Sequence, residues 1–340
     1  MGIKYLNRYL KSHCRKCITT EFVSKLKGKT IVFDTSIYLY RFLEVDALLE
    51  NFFLLVSQCY KYEINPIFVF DGKPSVEKQP VLLERMNRRN EAQEELENCQ
   101  IKLQQYSTEM SEEERIHLEK QMKQYKKESI KVTAKHIQQV RTLLQSLHVT
   151  CVDAPQEADI LCAYYVNKNI AWACVSDDMD MFIYGCEHII RSWDVEKEQF
   201  TLYKKNKILR TLNVDEKYFR CLLILLGTDY HEAIQQHEQF TISQSLEYYQ
   251  QYTKMLNLNS NLNSNLNSNL NPCVHFYNWL VCQGYLTSCN VEKLYRINSL
   301  FDISTVQSTT FPKVSDLGSS KEFIQWNLVH QMLKPLGFLF

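Results

Sequence analysis

Residues 171–180 read Ala-Trp-Ala-Cys-Val-Ser-Asp-Asp-Met-Asp, and this stretch decides the fold class of the 340-residue chain. Its first five residues form a short, continuous apolar run, which is typical of a strand in a parallel sheet covered by helices on both faces. Acids follow directly at Asp177, Asp178 and Asp180. Because sites in open parallel sheets lie outside the carboxyl ends of the strands, these acids are candidate site residues.

Three earlier apolar runs have the same character, at residues 30–33, 67–70 and 149–152. Asp34 directly follows the first of these runs, and Asp71 directly follows the second. Long helical stretches separate the runs, and this alternation is typical of an α/β protein. We therefore predict a mostly parallel, twisted sheet flanked by helices, with the acids gathered at one of its edges.

Three further acids are expected to reach this edge from helices. Glu157 and Asp159 lie in the predicted first turn of a helix that Pro155 opens. Asp229 follows a predicted helix that Gly227 ends. Each acid taken alone has an ordinary explanation as a helix cap or a turn residue. Their joint placement is much harder to explain in that way and predicts a site.

The acids predict a metal centre. Carboxylates a few ångströms apart cannot all stay ionised without cations between them. Oxygen ligands without a His or Cys companion favour a hard ion, with Mg2+ first and Mn2+ second. The set is large enough for two ions about 4 Å apart, an arrangement that serves phosphodiester cleavage. The predicted ligands are Asp34, Asp71, Glu157, Asp159, Asp178, Asp180 and Asp229.

A long insertion separates the second apolar run from the third. Residues 75–147 predict a projecting helical hairpin, with a break near residues 107–111 and a capping box at Ser111 and Glu114. The second arm, residues 115–141, holds eight Lys and Arg against two Glu. This net charge of +6 favours contact with phosphate groups.

Sequence composition predicts how the chain divides into a core and three C-terminal segments. Residues 1–230 form the predicted core, which includes the insertion. Residues 231–256 look helical, and residues 257–271 are an Asn-, Ser- and Leu-rich segment that cannot bury a core, so we expect a linker. Residues 272–340 predict a mostly helical C-terminal segment. The most apolar stretch, residues 221–226, is far shorter than the roughly 18 residues that predict a membrane span.

Charge and cysteine content exclude several classes of protein. The 39 Lys and Arg balance 39 Asp and Glu, which excludes a histone-like polycation and an acidic tail, but not a nucleic-acid-binding protein. The twelve cysteines are scattered. We therefore expect free thiols in a reducing, intracellular compartment rather than a zinc site at Cys14 and Cys17.

Six sequence motifs follow one another along the chain, at residues 1–4, 33–36 with Tyr40, 69–74, 152–159, 176–180 and 225–230. In this order they resemble the motifs of the flap endonuclease family of structure-specific 5′ nucleases, and the resemblance covers residues 1 to about 230. The insertion after Asp71 also looks like that of flap endonucleases rather than of their exonuclease or junction-resolving relatives.

The resemblance implies a PIN-like nuclease core whose residues 75–147 form a helical arch. It implies a 5′ flap endonuclease with 5′–3′ exonuclease activity, acting on branched or flapped DNA in replication and repair. By motif, the seven acids would hold two Mg2+ ions, whereas Asp177 lies outside the set. Asp34, Asp71 and Asp180 are the implied catalytic acids. Lys78 and Arg85 match basic residues that contact the scissile phosphate.

The resemblance also implies contacts with DNA. Tyr40 would stack on a base near the cut, and Gly2 would lie close to the DNA after removal of Met1. Arg88 and Arg89 match positions where phosphate contacts are expected. The basic second arm of the insertion adds three further candidates, which are Lys126, Lys127 and Lys131.

Three departures from the family pattern change these expectations. Asp159 stands where the family usually has Glu, and we expect its shorter side chain to shift metal preference without abolishing activity. Residues 231–255 contain no glycine, which argues against the family's Gly-rich duplex-binding hairpin and its potassium ion. The clamp-binding motif needs paired aromatics six and seven residues after a Gln, but Gly337 and Phe338 follow Gln331 there. Binding to a sliding clamp is therefore not supported, and we expect a monomer.

Two other functions are open to such a sequence. One is a catalytically weak DNA-binding scaffold of a replication complex. The seven acids argue against it, because a site without catalytic activity would not require so many mutually repelling carboxylates. The other is a phosphatase of the haloacid type, which expects a second Asp two residues after Asp34, where this chain has Ser36. For a nuclease of replication we expect a nuclear location or a viral DNA replication site.

Overall fold

The computed structural model of the chain describes residues 3, 5–106, 110–230, 240–260, 272–303 and 324–338. The predicted DNA contact Gly2 lies outside these residues, as does most of the predicted linker at 257–271. The first four residues of that linker, 257–260, belong to a helix. Within the described ranges, no helix is both long and apolar enough to cross a membrane.

One sheet of seven strands runs through the described residues, namely β1 (Ile18–Phe22), β2 (Thr30–Asp34), β3 (Asn65–Phe70), β4 (Thr150–Asp153), β5 (Ala173–Val175), β6 (His188–Asp194) and β7 (Gln199–Lys204). The strand order is β1-β7-β6-β5-β2-β3-β4. Strands β2 to β6 pair in parallel, and β7 pairs antiparallel with β6 and β1. The predicted fold class is confirmed. Strands β2 to β5 are the four predicted runs, whereas β1, β6 and β7 were not predicted.

Helices cover both faces of the sheet. Those of the described residues are α1 (Leu6–His13), α2 (Thr35–Glu44), α3 (Leu48–Lys61), α4 (Gln79–Tyr106), α5 (Glu112–Glu128), α6 (Ala134–Ser146), α7 (Ala158–Asn167), α8 (Lys205–Leu212), α9 (Glu216–Leu225), α10 (Ile242–Ser260), α11 (Pro272–Cys282), α12 (Ser288–Leu300) and α13 (Trp326–Leu333). Helices α2, α3, α6 and α13 pack on one face. Helices α1, α7, α8, α9 and α10 to α12 pack on the other.

The central strand β2 shows why a continuous apolar run forms here. Its side chains alternate between the two faces, and both faces are buried. Val32 belongs to the core beneath α7, whereas Ile31 and Phe33 belong to the core beneath α2 and α3. The ring of Phe33 stacks on that of Phe68 with 4.8 Å between the ring centroids. The strand that ends in Asp34 is thus fixed from both sides.

The predicted insertion contains a two-helix hairpin, α4 and α5, and a third helix that belongs to the core. A capping box starts α5 as predicted, because Glu114 N donates to Ser111 Oγ at 3.3 Å and Ser111 N donates to Glu114 Oε2 at 2.9 Å. Helix α6 instead buries Val140 and Leu143 in the core beneath α3. The projecting hairpin is therefore shorter than the predicted span 75–147, because the last helix has an apolar face to bury.

The cysteines of the described residues are mostly buried free thiols, Cys14 and Cys17 among them. Cys221, however, takes part in a disulfide bond, so the expectation that all thiols are free was wrong at this position. Phe338 packs edge-on against Phe53, with 5.4 Å between ring centroids, which places this part of the C-terminal tail on the core. The two residues after Phe338 lie outside the described part of the chain.

Candidate active site

The acids lie around the point where the strand order reverses. After β2 the chain adds β3 and β4 on one side, and it then returns to place β5 on the other side of β2. The loops leaving β2 and β5 therefore diverge and open a crevice at their carboxyl ends. Asp34 is the last residue of β2, Asp71 directly follows β3, and Asp178 lies three residues after the end of β5. These positions are the predicted ones.

Two serine hydroxyls link the strand-end acids. Ser36 donates its backbone N–H to Asp34 Oδ1 at 3.1 Å and its hydroxyl to Asp71. Ser176 Oγ donates to Asp34 Oδ2 at 3.4 Å and accepts the backbone N–H of Asp178 at 3.1 Å. The order of the carboxylates across the crevice is therefore set by hydrogen bonds and does not depend on the strands alone.

The N-terminus of α7 supplies two further acids. Glu157 is the N-cap residue and Asp159 lies in the first turn, where the partial positive charge of a helix start favours a carboxylate. Pro155 lies before the cap, so the helix begins later than predicted. The backbone N–H of Ala158 donates to Asp71 Oδ1 at 2.7 Å, which joins the end of β3 to this helix start.

Burial and mutual repulsion raise the pKa of four of these acids. Burial is the larger cause for Asp34, followed by the charges of Asp71 and Asp178, and together they raise its pKa to about 8. Burial, followed by neighbouring carboxylates, also raises the pKa of Asp159 and Asp180 well above the ordinary value. Burial is also the largest cause of the raised pKa of Asp178. The crevice is thus a region where negative charge is costly.

Two cationic side chains at the base of the hairpin form ion pairs with acids of the site. Lys78, the last residue before α4, forms a salt bridge with Glu157, and both side chains are largely buried. Burial alone would lower the pKa of Lys78, but the attraction of Glu157 and Asp159 outweighs it and raises the pKa. Arg85 lies two turns along α4 and pairs with Asp229 at 2.6 Å. The structure therefore brings Lys78 and Arg85 to the predicted site.

The donor set fits hard divalent cations. Asp159 Oδ1 and Asp180 Oδ1 are buried and have no hydrogen-bond partner, which is costly unless a ligand supplies the partner. The acids offer only oxygen atoms, the ligands that Mg2+ prefers. Among the described residues, no three acid, His or Cys side chains yet converge on one point. Lys78 and Arg85 hold Glu157 and Asp229 instead, so these two carboxylates must exchange partners to bind an ion.

The predicted DNA contacts fall into two groups. Tyr40 of α2 and Arg89 of α4 come together, because Arg89 Nη1 donates to the Tyr40 hydroxyl at 3.3 Å. The others lie on α4, on α5 or shortly after it, and most of them pair with acids. Arg88 pairs with Glu84 within α4. Lys126 pairs with Asp46 at 2.5 Å, Lys127 pairs with Glu44 at 2.9 Å, and Lys131 is exposed after α5.

Several residues that organise the site were missed as site residues. Ser36 and Ser176 are described above, and Tyr230 donates its hydroxyl to Glu157 Oε1 at 3.2 Å. Arg41 pairs with Asp177, and Arg191 Nη2 donates to the Asp177 carbonyl at 2.6 Å, so two guanidinium groups fix the loop that carries Asp178. A hydroxyl next to an acid at a strand end was the available signal for the two serines. The arginines gave no local signal.

Gly72 lets the loop after β3 pass close to the backbone that precedes α7. Its N–H donates to Gln156 O at 2.6 Å, and a Cβ at this position would lie 2.1 Å from Ala154 O. We expect Gly72→Ala to lower the free energy of unfolding by about 3 kcal/mol or more, because the backbone oxygen of Ala154 cannot move aside as the end of a flexible side chain could. Gly28→Ala is the control: its φ is 71° with no atom within 4 Å, so strain alone costs about 1–2 kcal/mol. Urea unfolding measures both variants, and an equal loss of unfolding free energy in Gly72→Ala and Gly28→Ala would contradict the close approach at Gly72.

Comparison with known proteins gives matches over the two parts of the chain that carry the seven acids. Residues 1–92 match the model of the XPG N-terminal domain, and residues 148–229 match that of the XPG I-region, together just over half of the chain. Flap endonuclease 1 of Debaryomyces hansenii is 30% identical over 253 residues, covering 69% of this chain and 63% of that protein. A probable RAD2-like endonuclease of Invertebrate iridescent virus 6 is 25% identical over 282 residues, covering 69% and 68%. The alignments span only 52–63% of the first three flap endonucleases matched.

Solved structures share the fold. The catalytic core of Rad2 in complex with DNA substrate superposes with a TM-score of 0.64 at 19% identity, covering 99% of this chain and 96% of that one. Human GEN1 in complex with Holliday junction DNA gives a TM-score of 0.58 at 16% identity, covering 99% and 74%. At these identities the likeness establishes the architecture of the chain.

Proposed function

Since the chain belongs to the XPG and flap endonuclease family, we propose that it is a structure-specific 5′ nuclease that hydrolyses DNA at the junction of single strand and duplex. Water adds to the scissile phosphodiester, the bond from phosphorus to the 3′ oxygen breaks, and the products carry a 5′ phosphate and a 3′ hydroxyl. Release of a 5′ flap is the principal reaction, and 5′–3′ exonuclease activity accompanies it.

The seven acids are the residues that would hold two Mg2+ ions, with Mn2+ as a substitute. When bound, such ions offset the mutual repulsion of the carboxylates, neutralise charge on the phosphoryl oxygens and lower the pKa of water. The supporting observations are the unpartnered Oδ1 atoms of Asp159 and Asp180 and the raised pKa values. The shorter side chain of Asp159 is the reason to expect an altered preference among divalent ions.

The observation that carries the proposal is the placement of two cations directly over the acids. Lys78 and Arg85 already bind carboxylate oxygens, and a phosphate oxygen presents the same acceptor chemistry. On substrate binding they would exchange Glu157 and Asp229 for the scissile phosphate and stabilise the charge that develops there. Arg85 offers a bidentate fork and Lys78 a point charge.

The substrate class follows from the hairpin above the crevice. Tyr40 presents a half-exposed ring beside Arg89, a pairing suited to stacking on a base and holding its phosphate. The hairpin of α4 and α5 is the element that a single-stranded flap would meet. We propose branched DNA as the partner, within the compartment where DNA is replicated, either a nucleus or a viral replication site.

End-labelled flap, nicked duplex and single-stranded DNA, each incubated with the chain and Mg2+, test this function. We expect a product of flap length, lost with EDTA and in Asp180→Asn. Binding without cutting would support the scaffold alternative. Cutting that persists in EDTA would show that the acids are not metal ligands. Action on small phosphate esters alone would favour a phosphatase.

A further inference from the structure

A second basic surface lies outside the proposed active site. Arg8 and Lys11 of α1, Arg15 and Lys16 of the turn after it, and Lys207 of α8 are all exposed. We refer to these five side chains as the α1–α8 surface. The proposed reaction uses none of them.

No acid lies within either segment that forms this surface. Residues 1–20 and 199–214 contain no Asp or Glu. The first acid of the chain, Glu21, is paired with Lys25 and Lys204. Across the described ranges none of the five cations forms a salt bridge, whereas Lys126 and Lys127 of the hairpin each have an acidic partner. Within the part of the chain that the structure describes, the positive charge on the α1–α8 surface is therefore not neutralised by acids.

The fold holds the two segments together. Helix α1 buries Leu6 and Leu10 one turn apart, so Arg8 and Lys11 project from its other side. Cys17 Sγ lies 3.2 Å from Thr211 Oγ1, which joins the turn after α1 to the last turn of α8. Thr211 Oγ1 in turn donates to Lys207 O at 2.9 Å. These contacts give the cations a fixed platform.

We propose that the α1–α8 surface binds the phosphate backbone of a duplex arm of the branched DNA. The inference rests on the proposed function, because it takes the same molecule as its ligand. Several exposed cations without acids in the same segments complement the dense charge of duplex DNA. Sites for single strands interleave cations with exposed rings. Tyr5, directly before α1, is exposed, but Tyr9 of α1 is stacked on His13 at 4.0 Å between ring centroids, which favours a duplex.

The test compares two double variants that remove the same charge. Lys11→Gln/Lys16→Gln changes the surface. Lys25→Gln/Lys27→Gln changes exposed lysines that already pair with Glu21 and Glu63. Both are made in an Asp180→Asn background to prevent cutting, and affinity for flap DNA with long duplex arms is measured by fluorescence anisotropy over a range of KCl. Loss of two phosphate contacts should reduce the slope of log affinity against log salt by about 1.8, with the control unchanged.

The outcomes separate this inference from the proposed function. The proposal for the α1–α8 surface would be overturned if the two double variants gave equal slopes of log affinity against log salt, and if Arg8→Gln/Arg15→Gln gave that slope too. It would also be overturned if the slope fell equally on single-stranded DNA of the same length. Cleavage by the wild-type chain is measured separately. If that chain cuts flaps and the slopes are equal, only this inference fails. If it cuts nothing and the slope still falls, the surface binds duplex DNA and the nuclease assignment fails.

Discussion

Asp180→Asn is expected to reduce the single-turnover rate of flap cleavage by roughly 10³-fold or more while raising the melting temperature of the chain in EDTA at alkaline pH. Charge stabilisation by a bound metal is worth several kcal/mol, and about 4 kcal/mol corresponds to this loss. Asp180 is buried beside Asp178 and Asp229, and its Oδ1 has no partner. Asn keeps the shape and removes the charge. We expect a gain of several degrees, because 1 kcal/mol shifts the melting temperature by about 2–4 °C in domains of 150–250 residues.

Asp177→Asn is the matched control, since it lies three residues away and removes the same charge. Asp177 pairs with Arg41 instead of facing the other acids. We expect its replacement to leave the melting temperature unchanged or lower, with cleavage within about tenfold of wild type, because a partly exposed ion pair contributes little. Equal loss of cleavage in both variants would contradict the assignment of Asp180, and so would an active Asp180→Asn.

Lys78→Met and Arg85→Met are each expected to slow single-turnover cleavage by about 10²–10³-fold with a much smaller change in DNA affinity. This is the size of effect found when one donor to a developing negative charge is removed. Met keeps the apolar stem and removes the cation. The rate at saturating enzyme and the affinity from anisotropy are measured on the same flap substrate. Arg85→Lys should recover part of the rate, because it restores charge without the bidentate fork.

Arg88→Met is the control for the hairpin as a whole. Arg88 lies on α4 within one turn of Arg85, but its side chain is 74% exposed and pairs with Glu84. We expect its rate at saturation to stay within about threefold of wild type, since surface pairs contribute 0–1 kcal/mol. A loss as large as that of Arg85→Met would mean that α4 contributes through its general charge or position, not through the two cations over the acids.

The sequence was sufficient for the parts of the fold that have local signals. A buried parallel strand needs apolar side chains on both faces, so β2 to β5 stand out as continuous runs, and the acids after them could be placed at one edge. Strand β6 carries His188, Arg191 and Asp194 among its apolar residues. Such mixed composition hides a strand that pairs antiparallel on one side.

Long-range pairing is what the sequence could not provide. The net charge of +6 on the second arm of the insertion suggested a free phosphate-binding face. Lys126 nevertheless pairs with Asp46, 80 residues earlier in the chain, in the turn after α2. Arg41 reaches Asp177 across 136 residues. Only folding brings such partners together, so counting charges along a helix overestimates what it can offer to DNA.

We propose that the buried acids form a divalent metal site. The melting temperature of the wild-type chain from about pH 5 to about pH 8, measured in EDTA and in excess Mg2+, tests this claim. Burial raises the pKa of Asp34 from 3.8 to about 8, so the folded chain holds protons that the unfolded chain has lost. Stability must then fall as pH rises through this window. We predict that fall in EDTA, its suppression by Mg2+, and a weaker Mg2+ effect in Asp180→Asn. The same pH profile with and without Mg2+ would contradict the claim.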